Sequence, residues 1–427
     1  MMMDGAATAA LLAMCVLVLV PLVPAGLALL NAGLGRSHSS AHAMLSALCA
    51  AATAALVFVM VGFSAAGLPG GAAHVLHLGG VSWSVLGAGP WGAHTGASGS
   101  FSSGLVLLLE MLGVAIAAII PLSTGADRWR LGALCLASAL TAAVTFPVLT
   151  HWVWGGGWLA QLGGSFGLGQ GFQDFGGAAT IQAVGGINAL VVAWQLGARQ
   201  GKYTNGHAAA IPGHNSVLAL FGCLLLVPGW VALNLAGALL FYGAGLSSAP
   251  GVAVNTLLSA SAAALAAVTL TRVRFTKPDA SLTANGWVAG LVVSSATCMV
   301  LSPLMSIVAG ALAGVMVVYL VEMLELRLML DDPAGAIPVH GVAAVWGLLA
   351  AALLGHHAAG QLLAQLIGIG TLLGVVLPLS YALHLLANRL VPYRVDEYGE
   401  RQGMDLFELG AGAYPEFVVH GDEARRR

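Results

Sequence analysis

The sequence predicts an all-α polytopic membrane protein with eleven transmembrane helices, and three observations carry that reading. Of its 427 residues, 59% are hydrophobic and only 7% charged, and the mean hydropathy is +0.91; soluble domains carry about 25% charged residues. Apolar runs long enough to cross a bilayer recur along nearly the whole chain. The basic residues, finally, follow every second run. A net charge of −2 leaves no electrostatic footprint for nucleic acid. The five cysteines lie inside apolar runs without metal or disulfide spacing and read as small core hydrophobes. No nucleotide-binding loop, Ser/His/Asp set or Cys/His set is visible, so neither an enzyme nor a cofactor nor a metal is expected.

The runs lie at roughly 8–31, 41–66, 101–121, 131–150, 176–197, 215–243, 251–271, 281–301, 303–323, 338–355 and 361–387. The first has no basic n-region and is long enough to span, so it reads as a helix rather than a signal peptide. The stretch over 281–323 is too long for one helix and divides at Ser302-Pro303. Arg36 follows run 1, Arg128 and Arg130 run 3, and Arg199 and Lys202 run 5. Arg272, Arg274 and Lys277 follow run 7, Arg327 follows run 9, and the remaining basic residues, from Arg389 to Arg427, follow run 11. All fifteen Lys and Arg thus follow odd-numbered runs. The positive-inside rule then places the N-terminus outside and the C-terminus in the cytoplasm. An odd count fits a five-plus-five inverted repeat with one extra helix. The expected division is a membrane domain over 1–387 and a cytoplasmic tail over 388–427. The tail carries Tyr393, Tyr398, Phe407 and Tyr414, and disorder and docking on the cytoplasmic face both remain open for it. The outer loop over 67–100 is rich in Gly and Ser, and its Trp83 and Trp91 read as interfacial belt residues.

Polar residues in the apolar runs are the candidates for chemistry. Asp174 stands at the start of run 5 before a Gly-Gly pair, where it can cap the helix or organise a ligand. Gln182 lies eight residues further on, and His340 interrupts run 10. These are the last runs of the two expected halves, so the two side chains should face each other near mid-membrane. The Gly185-Gly186 pair would let another helix approach closely. Asp331-Asp332-Pro333 precedes run 10 and reads as a helix start and a solvated loop. Glu110, inside run 3, needs a partner or access to water, and the sequence names neither.

Several short pieces carry a resemblance in order along the chain. They are Pro24-Ala-Gly-Leu-Ala-Leu with Gly33-Leu-Gly-Arg36, Ala126-Asp-Arg128, His151-Trp-Val-Trp-Gly-Gly-Gly157 and Asp174-Phe-Gly-Gly177. Further on come Pro212-Gly-His-Asn215, Gly229-Trp230 with Asn234, Val254-Asn-Thr256, Asp331-Asp-Pro333, Val339-His-Gly341, Gly403-Met-Asp405 and Ala413-Tyr414. Together they resemble the ammonium transporter family (Amt/Mep/Rh), its Amt branch most closely. The resemblance implies a multi-pass homotrimer of the cell (inner) membrane with one pore per protomer. It also implies a regulatory tail that can meet a PII-type signalling protein. Trp154 and Asp174 would belong to the outer ammonium site, and His340 matches the second of two pore histidines. Trp230 is taken with the pore set. The sequence departs from the family at Gln182, which stands where the first histidine belongs. The two gate phenylalanines fall on Gly113 and Leu233, and the outer-site serine falls on Gly237. A Gly-rich insertion runs from about Gly163 to Gly171. Loss of two aromatic faces should open the outer vestibule. The implied function is ammonium/ammonia transport through a modified pore. The alternatives are transport of another small amine or neutral gas, or a non-conducting ammonium sensor.

Overall fold

The computed structural model describes residues 5–92, 100–355 and 359–414. Among them, ten helices are long and apolar enough to cross a membrane: α1 Ala7–Leu34, α2 Ser37–Ala66, α3 Phe101–Leu122, α4 Leu131–Val153, α5 Ala178–Leu196, α6 Ser216–Phe241, α7 Leu246–Phe275, α9 Pro303–Leu326, α10 Ile337–Leu354 and α11 Gln361–Leu390. One more long helix, α8 (Ala280–Thr297), sits between α7 and α9. It is less apolar because Asn285, Ser294, Ser295 and Thr297 lie on it, yet thirteen of its eighteen residues are buried. Its polar groups face protein rather than lipid, so composition alone underrates it.

Small residues set the packing distances. A Cβ on Gly26 of α1 would lie 2.7 Å from the Gly222 carbonyl oxygen of α6, and one on Gly222 would lie 2.6 Å from that of Gly26. Two backbones in contact, with no side chain between them, are the usual solution where no hydrophobic force drives helices together. Pro21 and Pro24 each remove an amide donor where α1 breaks for one turn at 18–21.

The outer loop folds as a hairpin, β1 (Ala73–Leu78) against β2 (Val81–Gly87). Its turn residues Gly79 and Gly80 have φ of 61° and 77°, the left-handed pair a two-residue hairpin turn requires. The ring of Trp83 packs against protein, 5.7 Å from Trp158 and 5.7 Å from Phe166. Trp91 is exposed.

Residues 391–414 are docked. Tyr393 is buried, with its hydroxyl 2.9 Å from His384 Nδ1. Glu400 accepts from the Gln200 amide and from Arg394. Asp405 accepts from the Ala41 and His42 amides at the start of α2, and Glu408 accepts from the Leu131 amide at the start of α4. Two carboxylates therefore cap two helix N-termini that have no capping side chain of their own. Arg425 to Arg427 lie outside the described residues.

Candidate functional site

The site is built where α5 and α10 cross. Each begins with a wide π-helical turn, Ala178–Ala183 in one and Ile337–Val342 in the other; such turns mark functional positions in many helices. Each turn is capped by a carboxylate eight residues ahead of a polar side chain. Asp174 Oδ2 accepts from the Ala179 amide (3.0 Å), the Thr180 amide (2.8 Å) and the Thr180 hydroxyl (3.0 Å). Asp332 accepts from the Ala336 amide (3.1 Å), the Ile337 amide (2.8 Å) and the Thr124 hydroxyl (2.7 Å). Satisfying these amide donors lets a helix begin inside protein away from water. The crossing point is Gly186 on Gly341, where a Cβ on Gly186 would meet the Gly341 backbone. That approach brings Gln182 and His340 together: Gln182 Oε1 lies 2.7 Å from His340 Nδ1, which donates to it. Both side chains are buried, and Gln182 Nε2 has no partner among the described residues.

On the Asp174 side, Trp154 ends α4 and donates from Nε1 to the Asp174 carbonyl at 2.8 Å. Its ring is stacked on Phe241, with centroids 4.7 Å apart and planes at 12°. Tyr242 accepts from the Asp174 amide at 2.8 Å and packs on Phe175. Among the described residues, the three positions expected to open the vestibule are filled. Gly113 is covered, since a Cβ there would lie 3.0 Å from Ile181 Cδ1 and 3.4 Å from Phe146 Cζ. Leu233 is fully buried, and Gly237 backs onto the Phe175 carbonyl, leaving no room for a serine side chain. Trp230 is tied into a buried polar network, donating to Ser295 at 2.9 Å, while Asn234 binds Thr256, Ser294 and Ser295. The insertion is held by two glutamines of α11. Gln361 bonds the Gln170 amide and the Gly171 carbonyl, and Gln365 bonds both backbone groups of Gln173.

On the Asp332 side, His340 and Asn285 line a small cavity. Asn285, Pro338, Asp331 and Asp332 line a larger one of about 410 Å³. Asp331 is buried rather than solvated, and it receives Arg199 in a bidentate pair at 3.0 Å on each oxygen. Arg199 also reaches Asp127 at 3.0 Å, and Arg128 lies 3.6 Å from Asp331. Burial alone would raise the Asp331 carboxyl, but Arg128 and Arg199 hold it below the usual carboxylate value. Burial lowers Arg128 to about 10; burial also acts downward on Arg199, where Asp331 and Asp127 outweigh it and raise the group. The sequence reading missed Phe241 and Tyr242, which carry no motif. It also missed that the eight-residue spacing from Asp174 to Gln182 recurs from Asp332 to His340, which was visible in the chain.

The fold and site define a multi-pass helical membrane protein whose two capped helices, each opening on a π-helical turn, bring a polar pair together at their crossing. The model of the Ammonium Transporter Family matches residues 10–414, and the chain belongs to that family. It is 33% identical to ammonium transporter Amt2 of Archaeoglobus fulgidus, over 94% of this chain and 86% of that protein. It is 27% identical to the ammonium transporter of Bacillus subtilis, over 93% and 96% respectively. A solved structure titled Sensor Amt Protein superposes with a TM-score of 0.85 at 25% identity, covering 95% of this chain and 98% of that one. Candida albicans Mep2 shares the fold, with a TM-score of 0.76 at 22% identity over 96% and 90% of the two chains.

Proposed function

We propose that the protein moves ammonium or ammonia across the membrane by way of the Gln182–His340 crossing. The observation that carries this reading is the 2.7 Å contact between the two side chains, together with the cavities that continue from His340 past Asn285. Trp154 and Asp174 form the entrance; Gly113, Leu233 and Trp230 belong to the wall. An amide does not titrate, so the pair orients a neutral guest and cannot pass a proton from ring to ring. Of the alternatives, another small amine would find the same hydrogen-bonding groups, and a sensor would bind ammonium without releasing it. Radiolabelled methylammonium uptake into proteoliposomes, and growth rescue of a transporter-deficient cell on limiting ammonium, test the reading. Uptake no faster than in empty vesicles would remove it.

In this reading α8 is a crossing as well, giving eleven, and the matched caps of α5 and α10 support a five-plus-five inverted repeat with α11 added. The chain forms a homotrimer in the cell (inner) membrane, with the N-terminus outside. Residues 1–387 are the membrane domain and 388–427 the cytoplasmic tail, whose docked surface is where a PII-type protein would act. Reporters inserted near Ala97 and after Arg427 should fall on opposite sides.

A further inference from the structure

Glu110 is fully buried on α3, and neither of its carboxylate oxygens has a partner among the described residues. A carboxylate left so inside a membrane helix marks a site for a proton or a cation. Its place is defined by Gly113, one turn on, which touches Ile181 of α5 and Phe146 of α4. Ile181 immediately precedes Gln182. The Thr150 hydroxyl is also buried and unpartnered, and so is Asp174 Oδ1.

The unpartnered groups in this part of the molecule differ in character. Besides Gln182 they include Glu110 Oε1 and Oε2 and Asp174 Oδ1, which accept, and Thr150 Oγ1, which can donate or accept. At the crossing the unpartnered group is Gln182 Nε2, which donates. Carboxylate acceptors suit a ligand that only donates, such as ammonium; a donor suits a ligand with a lone pair, such as ammonia. No Lys or Arg stands on the elements packed against α3. Their titratable groups are Cys15, His38, His42, Cys49, Cys135 and Cys223, with His151 of α4 bonded to the Ala66 carbonyl and Ser84. No countercharge therefore competes for Glu110. Ser103, two turns back on the same face, lines a cavity of about 250 Å³.

We propose that Glu110 binds the ammonium cation ahead of the Gln182–His340 crossing and accepts its proton; this rests on the transport reading above. One N–H bond of ammonium breaks, its electron pair stays on nitrogen, and an O–H bond forms on Glu110. Ammonia moves on to Gln182, and the proton returns to water on the side from which the cation came. A carboxylate thus stands one turn from the position of the lost aromatic gate, adding a base that a ring could not supply.

The test uses the full chain in proteoliposomes, comparing wild type with Glu110→Gln and Glu110→Asp. Infrared difference spectra on adding ammonium chloride should show a carboxyl band in wild type that is absent from Glu110→Gln. Methylammonium flux should fall about 100-fold or more in Glu110→Gln, with partial recovery in Glu110→Asp. The melting temperature of Glu110→Gln should equal or exceed that of wild type, because an unpaired buried acid is removed. A wild type that shows the band without flux would end the transport reading and leave the Glu110 site standing. Flux at the wild-type rate in Glu110→Gln, or the same infrared spectrum in both proteins, would overturn the proposal.

Discussion

The ends of α5 and α10 use one device in two electrostatic settings. Asp174 and Asp332 each cap a π-helical turn through backbone amides and one threonine hydroxyl. Around Asp332 the neighbouring charges are cancelled: Arg199 and Arg128 stand on Asp331, and Arg199 and Arg36 on Asp127. Around Asp174 no such partner stands among the described residues, and none of them bonds Oδ1. Helix capping alone would not require the difference. One end is neutralised as a structural joint, while the other keeps an acceptor surface that a cation can satisfy.

Removing the neutralising charge should break the joint most severely. Arg199→Ala leaves Asp331 and Asp127 buried with too little compensation, and should destabilise the fold by about 3–5 kcal/mol. Its melting temperature in detergent checks this; a loss no larger than for Arg401→Ala would contradict the account. Next in size is Gly186→Val, whose Cβ and methyl groups would meet the Gly341 backbone. Overpacking there should cost about 1–3 kcal/mol and separate Gln182 from His340, lowering flux beyond what the stability loss explains. The two caps can then be compared directly. Asp174→Ala and Asp332→Ala should each lose about 0.5–2 kcal/mol. The Asn variants should be milder in stability, but only Asp174→Asn should also weaken ammonium binding measured by calorimetry. Equal binding loss at both ends would erase the distinction.

Acid sharpens the same contrast. Asp331 is held below its ordinary value, so its contribution to stability is complete above the unfolded carboxylate value of about 3.9. That contribution is lost as pH falls through the lower folded value. The melting temperatures of wild type and Asp331→Asn should differ by a constant amount near neutrality and converge in strong acid. The smallest effect on folding is expected from Gln182→His, which restores a pair of imidazoles at the crossing. Its current-to-flux ratio should rise while its melting temperature stays within about 1 kcal/mol of wild type in equivalent stability, as for other volume-tolerant changes. An unchanged ratio would show that the glutamine does not set the charge carried.

Much of this architecture is legible in the chain because the bilayer allows few solutions. Apolar length marks a span, and each span must satisfy its own backbone hydrogen bonds. Ten spans stand where the runs predict them. α8 reads less clearly, because its polar residues face protein and mean hydropathy cannot tell that from water. Gln182 and His340 could be paired from their positions on the two expected halves, and Gly186 announced a close approach. The outer cap could not be read in this way. Phe241 and Tyr242 reach Trp154 and Asp174 only because α6 ends beside them, and the space at Gly113 is taken by Ile181 from another helix. Burial of Asp331 likewise depended on Arg128 and Arg199 arriving from two separate connections. Sequence alone determined which segments are helical and which polar groups lie among them, since both follow from local composition and spacing. Tertiary structure decided which of those groups are satisfied and which are left open, because a hydrogen bond between distant segments exists only once packing has placed both partners.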